Sequence, residues 1–329
     1  MKTKIVYCLV SREKDNYLEQ AYISVLSLKE HTIDVKACLI VDEETAQTES
    51  EFRKRMISSF DELVTVKIDK SYTNVEKSRY LKTTARLYVD GPCLFVDTDT
   101  IFADDISDLD SLLSKDIDIA AVLDSHGLFK DMARKEMQIK RSMKVGWGDI
   151  VNDKVHYNSG VIFTKDSSRA RSFYKQWNNN WEYERQFGLH FDQIALAKTC
   201  RNNNYPIIEM DGIWNCQIFT DGIRYLSHAK IIHYFGGAAK TSPYLFKNKE
   251  VYAEIKNEEK VPEHLFSYIK DGRSAFVGHC TLCGNSEQKY YWSDMRQFSM
   301  KHSRIFSFLE AIVTPYIELR RYLHKRRIK

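Results

Sequence analysis

Three apolar runs, each followed by a segment with apolar residues at helical spacing, lead to a fourth run that ends in an acidic pair. The runs are "KIVYCLVS", "VKACLIVD", "LVTVKID" and "CLFVD". Between them, "YLEQAYISVLSLKEH" sets Leu18, Tyr22, Val25 and Leu26 on one helical face, and "ESEFRKRMISSF" and "KSRYLKTTARLYV" follow the same pattern. Gly91-Pro92 breaks the last of these before "CLFVD" begins. Such alternation predicts an α/β chain, a sheet covered by helices on both faces. Ligands of such sheets sit at the carboxyl ends of the strands. Asp97 and Asp99, in "LFVDTDTIF", fall at such an end.

Further strands are predicted at "DIAAVLD", "VHYNSGVIFTKD" and "IIHYFGG", and helices at "SRARSFYKQWNNNWEYERQ" and "FDQIALAKTC". Beyond about residue 250 the alternation stops, so residues 1–250 are expected to form the main domain and 251–329 a C-terminal extension. With 43% apolar and 29% charged residues the balance is that of a soluble globular protein. The net charge of +4 is concentrated in the tail, where residues 301–329 hold eight Lys/Arg against two Glu. Seven dispersed cysteines suit reduced thiols rather than a disulfide framework, which points to the cytoplasm. The N-terminus turns polar after a short apolar run and reads as a strand, not a secretory signal. No run reaches the ~20 apolar residues of a membrane span. No nucleic-acid partner is expected.

The acidic pair has competing readings. It can be a solvated turn with Asp99 as a helix N-cap. The apolar residues before it and Ile101-Phe102 after it speak against that. Carboxylates at the edge of a buried strand need compensation, and a divalent cation supplies it while keeping positions open for phosphate oxygens. Haloacid-dehalogenase-like phosphatases use such a pair, and "GDIVND" (148–153) has the spacing of their downstream acidic motif. Yet "RSMKVGW" before it is no buried strand, and the pair lies far into the chain for that class.

Several stretches in order resemble glycosyltransferase family 8 and its relatives: "DNY", "TARL", "LFVDTDTIF", "AAVLD", "YNSGVIF", "FDQ" and "HYFGGAAK", spread over about residues 3–242. The resemblance implies a GT-A fold, a Rossmann-like, mostly parallel mixed sheet with flanking helices. It also implies a retaining transferase that moves a sugar from a UDP-sugar to a glycan acceptor. Asp97, Asp99 and His233 match the family's ligands for Mn²⁺ or Mg²⁺ on the donor diphosphate. Val10, Asp15, Asn16 and Tyr17 match the nucleotide-binding positions. Thr98 lies between the two carboxylates, Gly236 and Gly237 would let backbone approach phosphate, and Lys240 would contact the diphosphate. Arg86 matches the family's helix cation, with Lys82 as its rival. Asp124, Asn158, Ser159, Asp192 and Gln193 would surround the donor sugar and the acceptor hydroxyl. A degenerate domain that binds glycan or a partner without catalysis is the non-enzyme alternative.

The tail "RIFSFLEAIVTPYIELRRYLHKRRIK" sets apolar residues at 305, 308/309, 312/313, 316, 319 and 323, one helical stripe with a break or kink expected at Pro315. Joined to its basic end, it reads either as an interfacial helix attracted to an anionic membrane surface or as a helix packed on the domain. The first reading places the protein on the inner face of the membrane, with a glycolipid acceptor in surface polysaccharide or lipopolysaccharide assembly. "HCTLCG" (279–284) offers one Cys-x-x-Cys without a second ligand pair at zinc spacing, so no metal is expected there.

Overall fold

A computed structural model describes residues 1–235, 242–277, 290 and 293–327. In chain order the elements are β1 (Lys4–Leu9), α1 (Tyr17–His31), β2 (Ala37–Asp42), α2 (Glu43–Ala46), α3 (Glu51–Ile57), β3 (Glu62–Val66) and α4 (Asn74–Thr84). Next come β4 (Cys93–Val96), β5 (Thr100–Phe102), β6 (Ile119–Leu123), α5 (Lys135–Lys144), β7 (Tyr157–Thr164), α6 (Ser168–Arg185) and α7 (Gln193–Asn202). Last are β8 (Ile207–Glu209), β9 (Cys216–Gln217), β10 (Ile231–His233), α8 (Lys249–Glu258) and α9 (Glu263–Lys270). A seven-stranded sheet runs in the order β3-β2-β1-β4-β7-β6-β8, and a three-stranded one in the order β5-β10-β9. In the large sheet only β7 opposes the others.

The apolar runs are continuous because the central strands are buried on both faces. Ile5, Tyr7 and Leu9 of β1 point into one apolar layer with Leu39, Val41, Leu94 and Val96. Val6, Cys8 and Val10 point into the other with Cys38, Ile40, Cys93 and Phe95. Trp177 and Trp181 of α6 are fully buried in that second layer, and each such side chain contributes on the order of 3 kcal/mol. Cys8, Cys38, Cys93, Cys200 and Cys216 are free and buried. Cys280 and Cys283 lie outside the described residues.

The "IIHYFGG" run supplies a strand of the smaller sheet, where β10 pairs antiparallel with β5. A strand as short as β5 carries no periodicity to detect. The apolar core continues past residue 250. Val251, Tyr252 and Ile255 of α8 and Leu265 and Ile269 of α9 share an apolar layer with Leu18, Ala21, Val25 and Leu28 of α1. These helices also brace the strand that carries His233, since the Tyr252 and Tyr234 hydroxyls lie 3.1 Å apart.

The C-terminal helix, Ser303–Arg327, continues through Pro315 instead of ending there. Ile305, Phe308, Leu309, Ile312, Val313, Tyr316, Leu319 and Leu323 are all exposed, so the stripe is not packed on the body. Among the described residues no helix is long and apolar enough to cross a membrane.

Candidate active site

A polar cleft of about 460 Å³ opens along one edge of the main sheet. Val10 follows β1 there, Asp97 follows β4 and Asp124 follows β6. β7 runs the other way, so its first residues, including Asn158 and Ser159, reach the same edge.

The D-x-D segment is the passage from one sheet to the other. β4 ends at Val96 in the large sheet, and β5 starts at Thr100 in the small one. His233 is the register partner of Thr100, which brings its ring back over both carboxylates. Its Nε2 lies 3.3 Å from Asp99 Oδ1 and 4.0 Å from Asp97 Oδ2. One ligand atom from each of the three residues fits within 4.8 Å, the only such group among the described residues. Adjacent ligands of a cation bound at ~2.1 Å stand about 3 Å apart. Two hard oxygens with one imidazole nitrogen suit Mn²⁺ or Mg²⁺.

A buried polar chain sets which imidazole nitrogen faces the carboxylates. The Gly160 N–H donates to Asn158 Oδ1 (2.9 Å), which fixes that amide's orientation. Asn215 Nδ2 donates to the same oxygen at 2.9 Å, leaving Asn215 Oδ1 to accept from His233 Nδ1 at 3.0 Å. Nε2 then presents its lone pair to the site. Gly160 is also a point of close approach. A Cβ there would stand 2.3 Å from His233 Cε1 and 2.9 Å from Asp97 Oδ2.

α4 supplies the cations. Its N-terminus is held by a capping box between Thr73 and Glu76, and Glu76 also pairs with Arg185 of α6 at 3.1 Å. Lys82, almost wholly buried, reaches Asp97 at 2.9 Å and Asp192 at 3.2 Å. Arg79, one turn earlier, pairs with Asp192 at 3.2 Å. Burial alone would raise the Asp192 pKa, but Lys82 and Arg79 outweigh it and hold the carboxyl well below its usual range. At Asp97 burial wins and lifts the carboxyl, with Lys82 opposing and Asp99 adding to the rise.

Arg86 is not brought to the cleft. It is fully buried at the amino end of β4, donating to the carbonyls of Val89 and Gly91 (2.7 Å to Gly91), and it pairs with Asp166 at 3.3 Å. α4 runs antiparallel to β4, so an earlier turn of the helix lies beside the carboxyl end of the strand. Arg79 was the cation missed, because the resemblance pointed to Arg86, which lies past the end of the helix.

Tyr17 and Val10 line the cleft, and so does Thr98. Asp15 and Asn16 lie in the adjoining loop, where Asp15 accepts from Ser11 Oγ (2.6 Å) and the Arg12 N–H (2.8 Å). Asp124 accepts from Asn158 Nδ2 at 3.2 Å. It precedes two left-handed residues, Ser125 and His126, held by Gln217 through the Ser125 N–H (2.9 Å) and the Leu123 carbonyl (2.9 Å). Gln193 accepts from the Ser159 N–H at 3.3 Å and donates to the Tyr157 carbonyl. Gly236, Gly237 and Lys240 lie outside the described residues. The "GDIVND" carboxylates point elsewhere. Asp149 pairs with Lys198 at 2.9 Å and Asp153 with Arg201 at 2.6 Å, so neither serves the phosphatase alternative.

Solved glycosyltransferases share this arrangement of strands. The galactosyltransferase LgtC, solved with donor and acceptor sugar analogs, matches 80% of this chain and 99% of its own, with 16% identity and a TM-score of 0.50. The chain has a GT-A fold. GlyE of Streptococcus pneumoniae TIGR4 matches over 85% of this chain and 67% of its own, with 17% identity and a TM-score of 0.50. The bifunctional glycosyltransferase WbbM matches over 82% of this chain at 14% identity and a TM-score of 0.52, and this chain spans about half (52%) of its length. No family model matches the sequence, and no curated protein does.

Proposed function

We propose that the protein is a retaining, metal-dependent glycosyltransferase that moves a sugar from a UDP-sugar to a glycan acceptor. The observation that carries this is the convergence of Asp97, Asp99 and His233 in the polar cleft at the sheet edge. A divalent cation held there supplies Lewis-acid neutralisation of charge on a departing diphosphate. Lys82 is the neighbouring buried cation, shared between Asp97 and Asp192, and it adds fixed positive charge on the same side. Tyr17, partly exposed on the cleft wall, offers a ring on which a base can stack. Asp15 orders the loop before it, Val10, Asp15 and Asn16 would contact the base and ribose, and Gly236 with Lys240 would approach the diphosphate. Asp124, Asn158, Ser159 and Gln193 offer hydrogen bonds to sugar hydroxyls. Asp192 is ionised but shared by two cations, which makes it a poor nucleophile. That favours same-face attack by the acceptor over a covalent intermediate.

The test is the melting temperature with UDP, Mn²⁺ and both. A rise of several degrees is expected only with both present, and no shift with UDP in any combination would overturn the reading.

The tail supports an acceptor carried on a membrane, in surface polysaccharide or lipopolysaccharide assembly. Its exposed stripe and basic end suit the inner, anionic face of a membrane. Deletion of residues 301–329 should abolish sedimentation with phosphatidylglycerol vesicles while donor hydrolysis continues. Vesicle binding that survives the deletion would refute the anchor.

A further inference from the structure

One face of α5 also lines the cleft, and it carries a different set of side chains from the cation site. Arg134, which caps the helix, and Met137, Gln138 and Arg141 all line the cleft, at the spacing that stacks side chains along one helical stripe. Among the described residues Arg141 makes no hydrogen bond and no ion pair. Its neighbour is the Phe191 ring, whose centroid lies 3.9 Å from the guanidinium carbon. Gln138 is only 5% exposed, and its Oε1 has no hydrogen-bond partner. Arg134 feels the attraction of Asp124 and lies near enough to Arg141 for the two charges to repel.

Arg141 thus presents five N–H donors with no acceptor, and Gln138 a buried acceptor with no donor. A neutral sugar could meet both groups through its hydroxyls but would leave the Arg141 charge without a counter-charge. An acidic sugar supplies both, a hydroxyl proton for Gln138 and anionic oxygens for the planar guanidinium fork. Lys82 is paired with a carboxylate of the cation site and Arg141 is not, stacking on Phe191 instead, which points Arg141 to the sugar rather than to the diphosphate.

We propose that the α5 face of the cleft is a subsite for a sugar bearing a carboxylate or phosphate, with Arg141 and Arg134 holding the anion and Gln138 accepting from a hydroxyl. The proposal deepens the transferase reading and rests on it for the nature of the cleft. The acidic group can belong to the donor sugar or to the acceptor, and two arms separate these. In the donor arm, UDP-glucuronic acid and UDP-glucose are titrated calorimetrically into the full chain with Mn²⁺. In the acceptor arm, glucuronic acid, glucose 6-phosphate and glucose are compared with and without UDP by ligand-observed NMR.

In one arm the acidic probe should bind at least tenfold tighter than the neutral one. Arg141→Gln should remove that preference while UDP affinity stays within about twofold, and Arg134→Gln should reduce it. A preference below twofold in both arms overturns the subsite. So does Arg141→Gln weakening UDP as much as the acidic probe, which would assign the arginine to the diphosphate. If UDP does not bind at all, the transferase reading fails, and the nucleotide-free acceptor arm still decides whether α5 holds an acidic sugar.

Discussion

His233→Ala abolishes the rise in melting temperature that UDP and Mn²⁺ give together, and Asp97→Asn does the same. Transfer falls by about 10²–10³-fold or more in each, the loss expected when a group aimed at developing charge is removed. The argument rests on the donor set. Two carboxylates and one imidazole within 4.8 Å leave no spare ligand, so removing any one opens a position that only water can fill. The Asn215 chain makes a graded companion. Asn215→Ala leaves the three ligands in place but frees the His233 ring from the partner that holds Nδ1–H, 3.0 Å away. Loss of such an orienting partner costs about 10–100-fold in metal affinity. Mn²⁺ affinity measured by EPR should therefore rank wild type, then Asn215→Ala, then His233→Ala. Equal affinities for the first two would show that the chain only fills space, and a UDP shift retained in His233→Ala would remove the histidine from the site.

Glu184→Gln raises stability, and the gain depends on pH in a defined window. Glu184 is fully buried on α6, and neither carboxylate oxygen has a hydrogen-bond partner. Burial, with Asp192 nearby adding to it, pushes its pKa from 4.5 up to about 9. The unfolded chain ionises this group above pH 4.5, while the folded chain holds it protonated until about pH 9. Between those values the unfolded state binds fewer protons, so the wild type loses stability as pH rises. Below pH 4.5 the two proteins should differ little. At pH 7 the variant should be more stable by roughly 2–4 kcal/mol, since each pKa unit corresponds to about 1.4 kcal/mol. Urea denaturation at pH 4.5, 7 and 8.5 checks this, and a gap that does not widen with pH would mean that Glu184 has a partner when ionised. Keeping Glu184 neutral also spares Asp192 a second negative charge beside it, which leaves Lys82 and Arg79 free to hold Asp192 ionised.

Much of the architecture was open to inspection in the sequence. The apolar runs that became β1, β2, β4, β6 and β7 are buried on both faces, and burial on both faces writes itself as uninterrupted Val, Ile, Leu and Phe. α1, α4 and α6 announced themselves by spacing. The position of Asp97 at the end of an apolar run was equally plain, and with it the edge of the sheet where a cleft belongs. The places where the sequence misled have a common cause. Arg79 lies on α4 and Arg86, seven residues on, in the turn just past its end, and only the antiparallel packing of α4 on β4 determines which one reaches the carboxyl edge. Asn215 sits in a short turn with no motif around it, and Gly160 resembles any glycine in a strand until His233 is placed above it.

Periodicity and burial are local properties, and the sequence by itself determined the α/β class, the strands of the main sheet other than the three-residue β8, and the acidic pair at its edge. What it could not decide was which distant groups meet. That the chain leaves the large sheet at Asp97, enters a second sheet at Thr100 and pairs there with His233, 133 residues later, follows from strand pairing across the chain. The orientation of that histidine by Asn215, and the face that α5 turns to the cleft, depend on packing between elements whose order along the chain says nothing of their distance in space.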